Sequence, residues 1–131
     1  MLKIIKNSKG SAVVETAIMF PLVLMLTFGF IMFTQAIRIN TVLEVAAREA
    51  ARTYSLTNNS SLATQKARAE LALGGVPNAE QATIGLSSSG YDRKVTVDLP
   101  YNFHIPFAGG GFVKALRGSA VFHLEPNPAH Y

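Results

Sequence analysis

The sequence contains no cysteine. This absence excludes a disulfide framework, a thiolate metal site and a cysteine nucleophile. The chain has 131 residues, which is enough for one small domain and an appendage. If such a domain is exported without disulfides, something else must stabilise it, and association with other subunits is one candidate.

Charged side chains are absent from residues 16–37, which are mostly Leu, Ile, Met, Phe, Val and Ala. At about 1.5 Å per residue, a helix of this length spans roughly the 30 Å of a bilayer's hydrocarbon. The run is too long for the apolar core of a secretory signal peptide, which has roughly 7–15 residues. We therefore predict a membrane-spanning helix over about residues 16–37.

Lys3, Lys6 and Lys9 precede this run, and no acidic residue lies among them. By the positive-inside rule, these lysines keep the N-terminus in the cytoplasm and send the C-terminus outward. Without them, nine of the 12 basic residues remain against eight acidic ones. Most of the excess of basic over acidic residues thus lies in the leader. Because the sequence also contains no nucleic-acid-binding motif, we predict no nucleic-acid partner.

The sequence offers no constellation of residues for catalysis, cofactor binding or metal binding. His104, His123 and His130 are too scattered for metal-ligand spacing, and the serines at 87–89 have no base nearby. The glycines at 109–111 are not followed by the lysine of a phosphate-binding loop. We therefore expect a non-enzymatic protein without a cofactor.

Beyond the apolar run, residues 38–55 contain no Gly or Pro and keep helical spacing of their apolar residues. One helix is thus predicted over residues 11–55, with a flat alanine surface suited to tight packing. A second helix is predicted from about Ser61 to Leu73, with Ser60 or Ser61 as its N-cap. Glycines and a proline follow its end.

Period-two or β-branched patterning predicts three strands, at residues 82–86, 93–103 and 117–125. Residues 87–92 read as a turn, 106–112 as a flexible loop and 125–131 as an irregular tail. The predicted fold class is α+β: a long N-terminal helix, a short second helix and a small antiparallel sheet packed on the first helix. The predicted organisation is a leader (1–10), the long helix (11–55) and a small exported domain (56–131).

Glu15 lies at the start of the apolar run, where a carboxylate is costly. Insertion of a charge costs roughly 2.5–3.5 kcal/mol at the centre of a membrane helix and less near an end. One interpretation is that Glu15 merely reaches the headgroups. The other is that the chain is cut between Gly10 and Ser11, so that Glu15 pairs with the new α-amine of the same or a neighbouring subunit and fixes the register of assembly.

The stretch "KGSAVVE", which follows two further lysines and precedes the apolar run, resembles the class III leader of type IV pilins and pseudopilins. Together with the proline inside the apolar run and "AAREAAR" at 46–52, it most resembles the TadE-like pseudopilins of Tad (Flp-type) pilus systems. The resemblance implies cleavage after Gly10 by a prepilin peptidase, with the new N-terminus at Ser11 commonly methylated. It also implies that Glu15 acts in assembly.

The resemblance further implies residence in the bacterial inner membrane, then in the periplasm or an extracellular pilus. The implied partners are other pilin or pseudopilin subunits, the peptidase and an inner-membrane assembly platform. The implied role is that of a minor pilin or pseudopilin that primes a pilus for adhesion, biofilm formation or secretion. Thr16 stands where the major Flp pilins usually have tyrosine, and the chain is longer than theirs, which favours a pseudopilin.

Two other interpretations remain open from the sequence. The chain could be an uncut single-pass membrane anchor whose exported domain binds an envelope partner. It could also be a type II secretion pseudopilin, although a different and usually longer domain is expected there. Neighbouring genes for a pilus ATPase and a peptidase would favour the Tad interpretation, whereas an isolated gene would favour the anchor.

Overall fold

The computed structural model describes residues 8–105 and 109–124 and confirms the predicted α+β architecture. Helix α1 (Ser8–Thr57) is followed by α2 (Ser60–Leu73), a short 3₁₀ turn and a three-stranded antiparallel sheet. The strands are β1 (Thr83–Ser89), β2 (Asp92–Ile105) and β3 (Gly110–His123), with β2 in the middle. The C-terminal half of α1 packs against both α2 and the sheet.

Helix α1 has 50 residues and runs through Pro21 without a break in the helical assignment. At 1.5 Å per residue it is about 75 Å long. It begins three residues before the predicted start and ends two residues after the predicted end. The prediction of one continuous helix from the apolar run into the domain is therefore confirmed.

The link between α1 and α2 is built by two asparagines. Asn58 has a positive φ of 50°, and Asn59 has an extended backbone and accepts hydrogen bonds from the N–H groups of Ser61 and Leu62. Asn59 is thus the N-cap of α2, and the prediction of Ser60 or Ser61 was wrong because both serines are already helical. An asparagine can both tolerate the left-handed region and cap a helix, whereas serine serves mainly as a cap.

The core lies where α1, α2 and the sheet meet, and small residues dominate its helical side. Their small side chains let α1 approach its neighbours closely, as the flat alanine surface predicted. The sheet contributes the alternating residues of β2, as expected for a strand with one buried face. The fully buried residues are Leu43, Ala46, Ala47, Ala50, Ala51, Ala63, Ala67, Leu71, Val95 and Val97, and Leu99 is nearly so.

The closest approach between helix and sheet is at Gly118 of β3. A Cβ atom added there would lie 2.6 Å from the backbone nitrogen of Glu44 and would also collide with the backbone of Leu43. Since neither obstacle is a side chain that can rotate away, only glycine fits. Gly118 therefore fixes how α1 lies on the sheet.

The strands extend further than the sequence pattern predicted. The expected loop at 106–112 is wrong for residues 110–112, which pair with β2 in register from Ile105↔Gly110 onward. The expected turn at 87–92 shrinks to Gly90 and Tyr91, because Ser87–Ser89 pair with β2. Residues 106–108 and the predicted irregular tail at 125–131 lie outside the described residues.

Pro100 occupies a position in β2 where its missing N–H costs no ladder bond to β1. The pairing of β2 with β1 ends at Asp98↔Thr83, whereas its pairing with β3 continues to the hairpin turn. Beyond Asp98 the sheet is therefore a two-stranded ribbon with a free edge, which is where proline is tolerated.

Candidate functional site

The N-terminal half of α1 carries a long apolar surface that the rest of the chain leaves uncovered. From Gly10 to Gln35 no side chain is buried, and the first buried residue of the helix is Ala36. Val13 is 68% exposed and Phe30 is 70% exposed. A contiguous apolar surface of this size is far larger than those of soluble monomeric proteins. This segment of α1, residues 10–37, is long and apolar enough to cross a membrane.

The threonine hydroxyl groups of this segment are satisfied within the helix itself. Thr16, Thr27 and Thr34 each donate a hydrogen bond to the carbonyl four residues earlier, at 2.8–2.9 Å. A hydroxyl that is buried in an apolar medium without a partner would cost roughly 2–7 kcal/mol. The segment can therefore enter hydrocarbon without leaving these groups unpaired.

Gly10 and Ser11, the residues on either side of the predicted cleavage point, lie in α1 close to the first residue that the structure describes, and both are exposed. Glycine is the weakest helix former apart from proline. The helix is therefore weakened at the Gly10–Ser11 peptide bond.

Glu15 is one helical turn beyond Ser11, on the same face of α1, and its side chain is exposed. It borders a shallow groove with Thr16, Met19 and Phe20. Within the part of the chain that the structure describes, no side chain forms an ion pair or hydrogen bond with it. None of the described residues therefore supplies a partner for the Glu15 carboxylate.

Arg38 marks the other end of the apolar segment, and its contact was not anticipated from the sequence. Its Nη2 atom donates to the carbonyl oxygen of Gly74, 3.3 Å away, at the C-terminus of α2. A cation is favourable there because the last helical carbonyls carry partial negative charge. The first charge after the apolar run is thereby held against the end of α2. A single basic residue after an apolar run gives no hint of this contact.

The remaining ionic contacts of the described residues lie on the surfaces of α1, α2 and the sheet and do not form a site. Arg117 makes two hydrogen bonds to the carboxylate of Asp98, at 2.6 and 3.1 Å, and these bonds and the charge of Asp98 raise the pKa of Arg117. The Nδ1 atom of His123 lies 2.6 Å from Asp92. His104 is exposed, and His130 lies outside the described residues.

Comparison with known proteins finds a family resemblance in α1. Residues 10–52 match the model of the TadE-like protein family, and this match begins at the predicted cleavage glycine and ends within α1. It covers about one third of the chain and does not reach α2 or the sheet. No curated protein and no solved structure matches the chain. The part of α1 that carries Gly10, Ser11 and Glu15 is thus similar to the TadE-like family.

Proposed function

We propose that the chain is a pilin-like subunit of a Tad-type pilus, acting as a pseudopilin or minor pilin. The uncovered apolar half of α1 is the observation that carries this proposal. Such a surface is stable only when hydrocarbon or other helices cover it, and a pilin-like subunit is surrounded first by the one and then by the other. It is first held in the inner membrane, with its leader in the cytoplasm and its domain outside, and then packs with other pilin or pseudopilin helices.

In this proposal a prepilin peptidase cuts the chain between Gly10 and Ser11. Gly10 supports the step, because glycine weakens a helix and so eases its local opening at this bond. Cleavage removes Lys3, Lys6 and Lys9, the residues that hold the leader in the cytoplasm. The mature chain then begins with an apolar helix that is free to leave the bilayer at an inner-membrane assembly platform.

Glu15 then sets the register between subunits. A free α-amine at Ser11 would be unfavourable at the positive end of the helix dipole, and a carboxylate one turn away offsets this. In an apolar bundle an unpaired carboxylate is strongly unfavourable, so a subunit docks only where an amine, its own or a neighbour's, reaches Glu15. The role is structural rather than enzymatic, and adhesion or secretion would belong to the assembled pilus.

The test compares Glu15→Gln with Glu44→Gln in a strain that lacks the native gene. Glutamine keeps the shape of glutamate and removes its charge. Glu44 lies on the same helix but outside the apolar segment, where it forms a 3.5 Å surface ion pair with Arg48. We expect both variants to be inserted and cut, but only Glu44→Gln to appear in the surface filament fraction and to restore pili.

Normal piliation by Glu15→Gln would contradict the register mechanism. Normal piliation of the strain without the gene would contradict the pilus role itself. If the protein instead stays uncut in the membrane and copurifies with an envelope protein, it is the permanent anchor that the sequence left open.

A further inference from the structure

The β2–β3 hairpin runs along α1 with its turn directed toward the apolar segment. At the distal end, the guanidinium of Arg93 in β2 lies 5.6 Å from the ring centroid of Tyr54. At the other end, Phe103 of β2 shares a groove with Phe33 and Ile37 of α1. The ten-residue step from 93 to 103 in β2 covers about 33 Å, and the 17-residue step from 37 to 54 in α1 covers about 25 Å. The hairpin is thus long enough to reach the level of Ile37 and beyond.

The end of this hairpin has less support than the rest of the sheet. The strand β1 stops pairing at Asp98, so residues 99–105 and 110–116 form a ribbon of two strands. An isolated two-stranded ribbon is marginally stable in water, and additional cover for its apolar face stabilises it. The helix supplies that cover as far as Leu116, which is partly buried, but Phe112 is 53% exposed.

Aromatic side chains gather at this uncovered end. The rings of Phe103 and Phe112, a cross-strand pair, are stacked with their centroids 4.9 Å apart and an interplanar angle of 11°. Tyr101 meets the Phe103 ring edge-on at 4.8 Å. Val113, on the opposite face of the ribbon, is 66% exposed. Both faces of the hairpin end therefore present apolar surface.

The hairpin end lies at the outer boundary of the predicted membrane span. Ile37 is the last residue of the uncharged run, and Arg38 begins the aqueous part of α1. Phe33 and Ile37 line the groove that also contains Phe103 and Lys114. Lys114 is exposed and is two residues from Phe112. Aromatic side chains are enriched at this depth of a bilayer, and a lysine there suits anionic headgroups.

From this placement we infer that the β2–β3 hairpin end is a second membrane contact, in which Phe112 and Val113 enter the outer interfacial layer and Lys114 lies among the lipid phosphates. The surface is continuous with the apolar face of α1, so the same bilayer that surrounds Phe33 meets the hairpin. Backbone pairing persists to Ile105↔Gly110, and the N–H and C=O groups on the free edges of the ribbon stay hydrated, because the interfacial layer contains water. The inference rests on the membrane insertion of α1 in the proposed function.

Because the chain contains no tryptophan, single tryptophans report on this contact without interference. The full-length chain is reconstituted, at high lipid excess, into phosphatidylethanolamine–phosphatidylglycerol vesicles whose acyl chains are brominated. The probes are Phe112→Trp and, on the other face of the ribbon, Val113→Trp. Phe122→Trp is the matched control, since it lies on the same strand and the same face, ten residues further from the membrane. Phe30→Trp reports on the helix.

We expect brominated lipid to quench the tryptophan fluorescence of Phe30→Trp, Phe112→Trp and Val113→Trp but not that of Phe122→Trp. The three quenched probes should also emit at a shorter wavelength than Phe122→Trp. Bromines near the headgroups should quench the Phe112→Trp probe more than bromines near the chain ends, and the reverse should hold for Phe30→Trp. Circular dichroism confirms that each variant is folded.

The outcomes separate this inference from the proposed function. If Phe30→Trp is quenched while the two hairpin probes behave like Phe122→Trp, the helix is inserted and the hairpin contact is wrong. If Phe30→Trp is not quenched, membrane insertion fails and the hairpin contact fails with it. If Phe112→Trp shifts with protein concentration but is insensitive to brominated lipid, the hairpin meets a second copy of the chain, which also overturns the inference.

Discussion

Replacing Gly118 with alanine tests whether α1 is seated on the sheet as described. The added Cβ would lie 2.6 Å from the nitrogen of Glu44, whereas ordinary carbon contacts begin near 3.4 Å. Because the obstacle is helix backbone, α1 and β3 must separate by most of an ångström along their contact. Overpacking of this kind costs typically 1–3 kcal/mol, and we expect about 2–3 kcal/mol because no side chain can yield.

A loss of this size is large for a domain of about 90 residues. It corresponds to a fall in midpoint temperature of about 10–20 °C. The measurement is thermal unfolding of the full-length chain in detergent, followed by circular dichroism of the sheet. Gly29→Ala is the matched control, since a Cβ at Gly29 has no neighbour within 4 Å. It should leave the transition unchanged or raise it slightly, because alanine favours helix over glycine.

A second comparison separates backbone from side-chain obstruction. A Cβ at Gly85 would approach only the hydroxyl of Thr96, at 2.7 Å, and this side chain can rotate. Gly85→Ala should therefore cost clearly less than Gly118→Ala. If Gly118→Ala unfolds like the wild type, the helix does not contact β3 at this position and the described packing is wrong.

Three further predictions concern the stability of the folded region that α1, α2 and the sheet form together. Asn59→Ala should lower the free energy of unfolding of this region by about 1 kcal/mol, measured by urea unfolding, because the N-cap of α2 is lost, whereas Asn59→Asp should retain stability. Equal losses of stability in the two variants would refute the cap. Leu43→Ala, at a fully buried position, should lower the free energy of unfolding by about 2–5 kcal/mol, whereas Leu56→Ala, at a position 75% exposed, should change it little. Comparable losses in the two variants would contradict the placement of Leu43 in the core. The hydrogen bond and charge of Glu70 raise the pKa of Lys66 above its ordinary value of 10.5. The Lys66–Glu70 pair therefore stabilises the folded state fully below pH 10.5, and this stabilisation is lost as the pH rises through the higher pKa that Lys66 has in the folded state. The urea midpoint of Glu70→Gln should thus fall below that of the wild type at neutral pH and converge with it in strong alkali, and a gap that widens there would contradict the pair.

The long helix was predictable because its signals are local. The uncharged run at 16–37 and the helical spacing after it leave no stop before the asparagines at 58 and 59. The buried alanines followed from the same spacing. The N-cap was misassigned because three polar residues in a row can each cap a helix. Only the backbone angles distinguish Asn59 from Ser60 and Ser61.

The extent of the sheet was less predictable because pairing, rather than propensity, determines it. Gly110 and Gly111 are poor strand formers, yet they continue β3 because β2 offers them a partner. The packing of Gly118 against α1 likewise depends on a contact with Leu43, which lies 75 residues away along the chain. Gly10, Ser11 and Glu15 were singled out from the leader pattern and the resemblance that it carries, and their roles stay predictions, whereas the aromatic end of the hairpin required the register and its position along α1.

The central claim is that this chain is a pilin-like subunit that matures by cleavage after Gly10. Intact mass and N-terminal sequencing of the protein from its native cell test it most directly, beside a strain that lacks the prepilin peptidase and beside Gly10→Val with Gly29→Val as its control. The account predicts a chain that starts at Ser11 in the wild type and in Gly29→Val, and at the uncut N-terminus in the peptidase-deficient strain and in Gly10→Val. A wild-type chain that retains Lys3, Lys6 and Lys9 would contradict the account and identify the protein as an uncut membrane anchor.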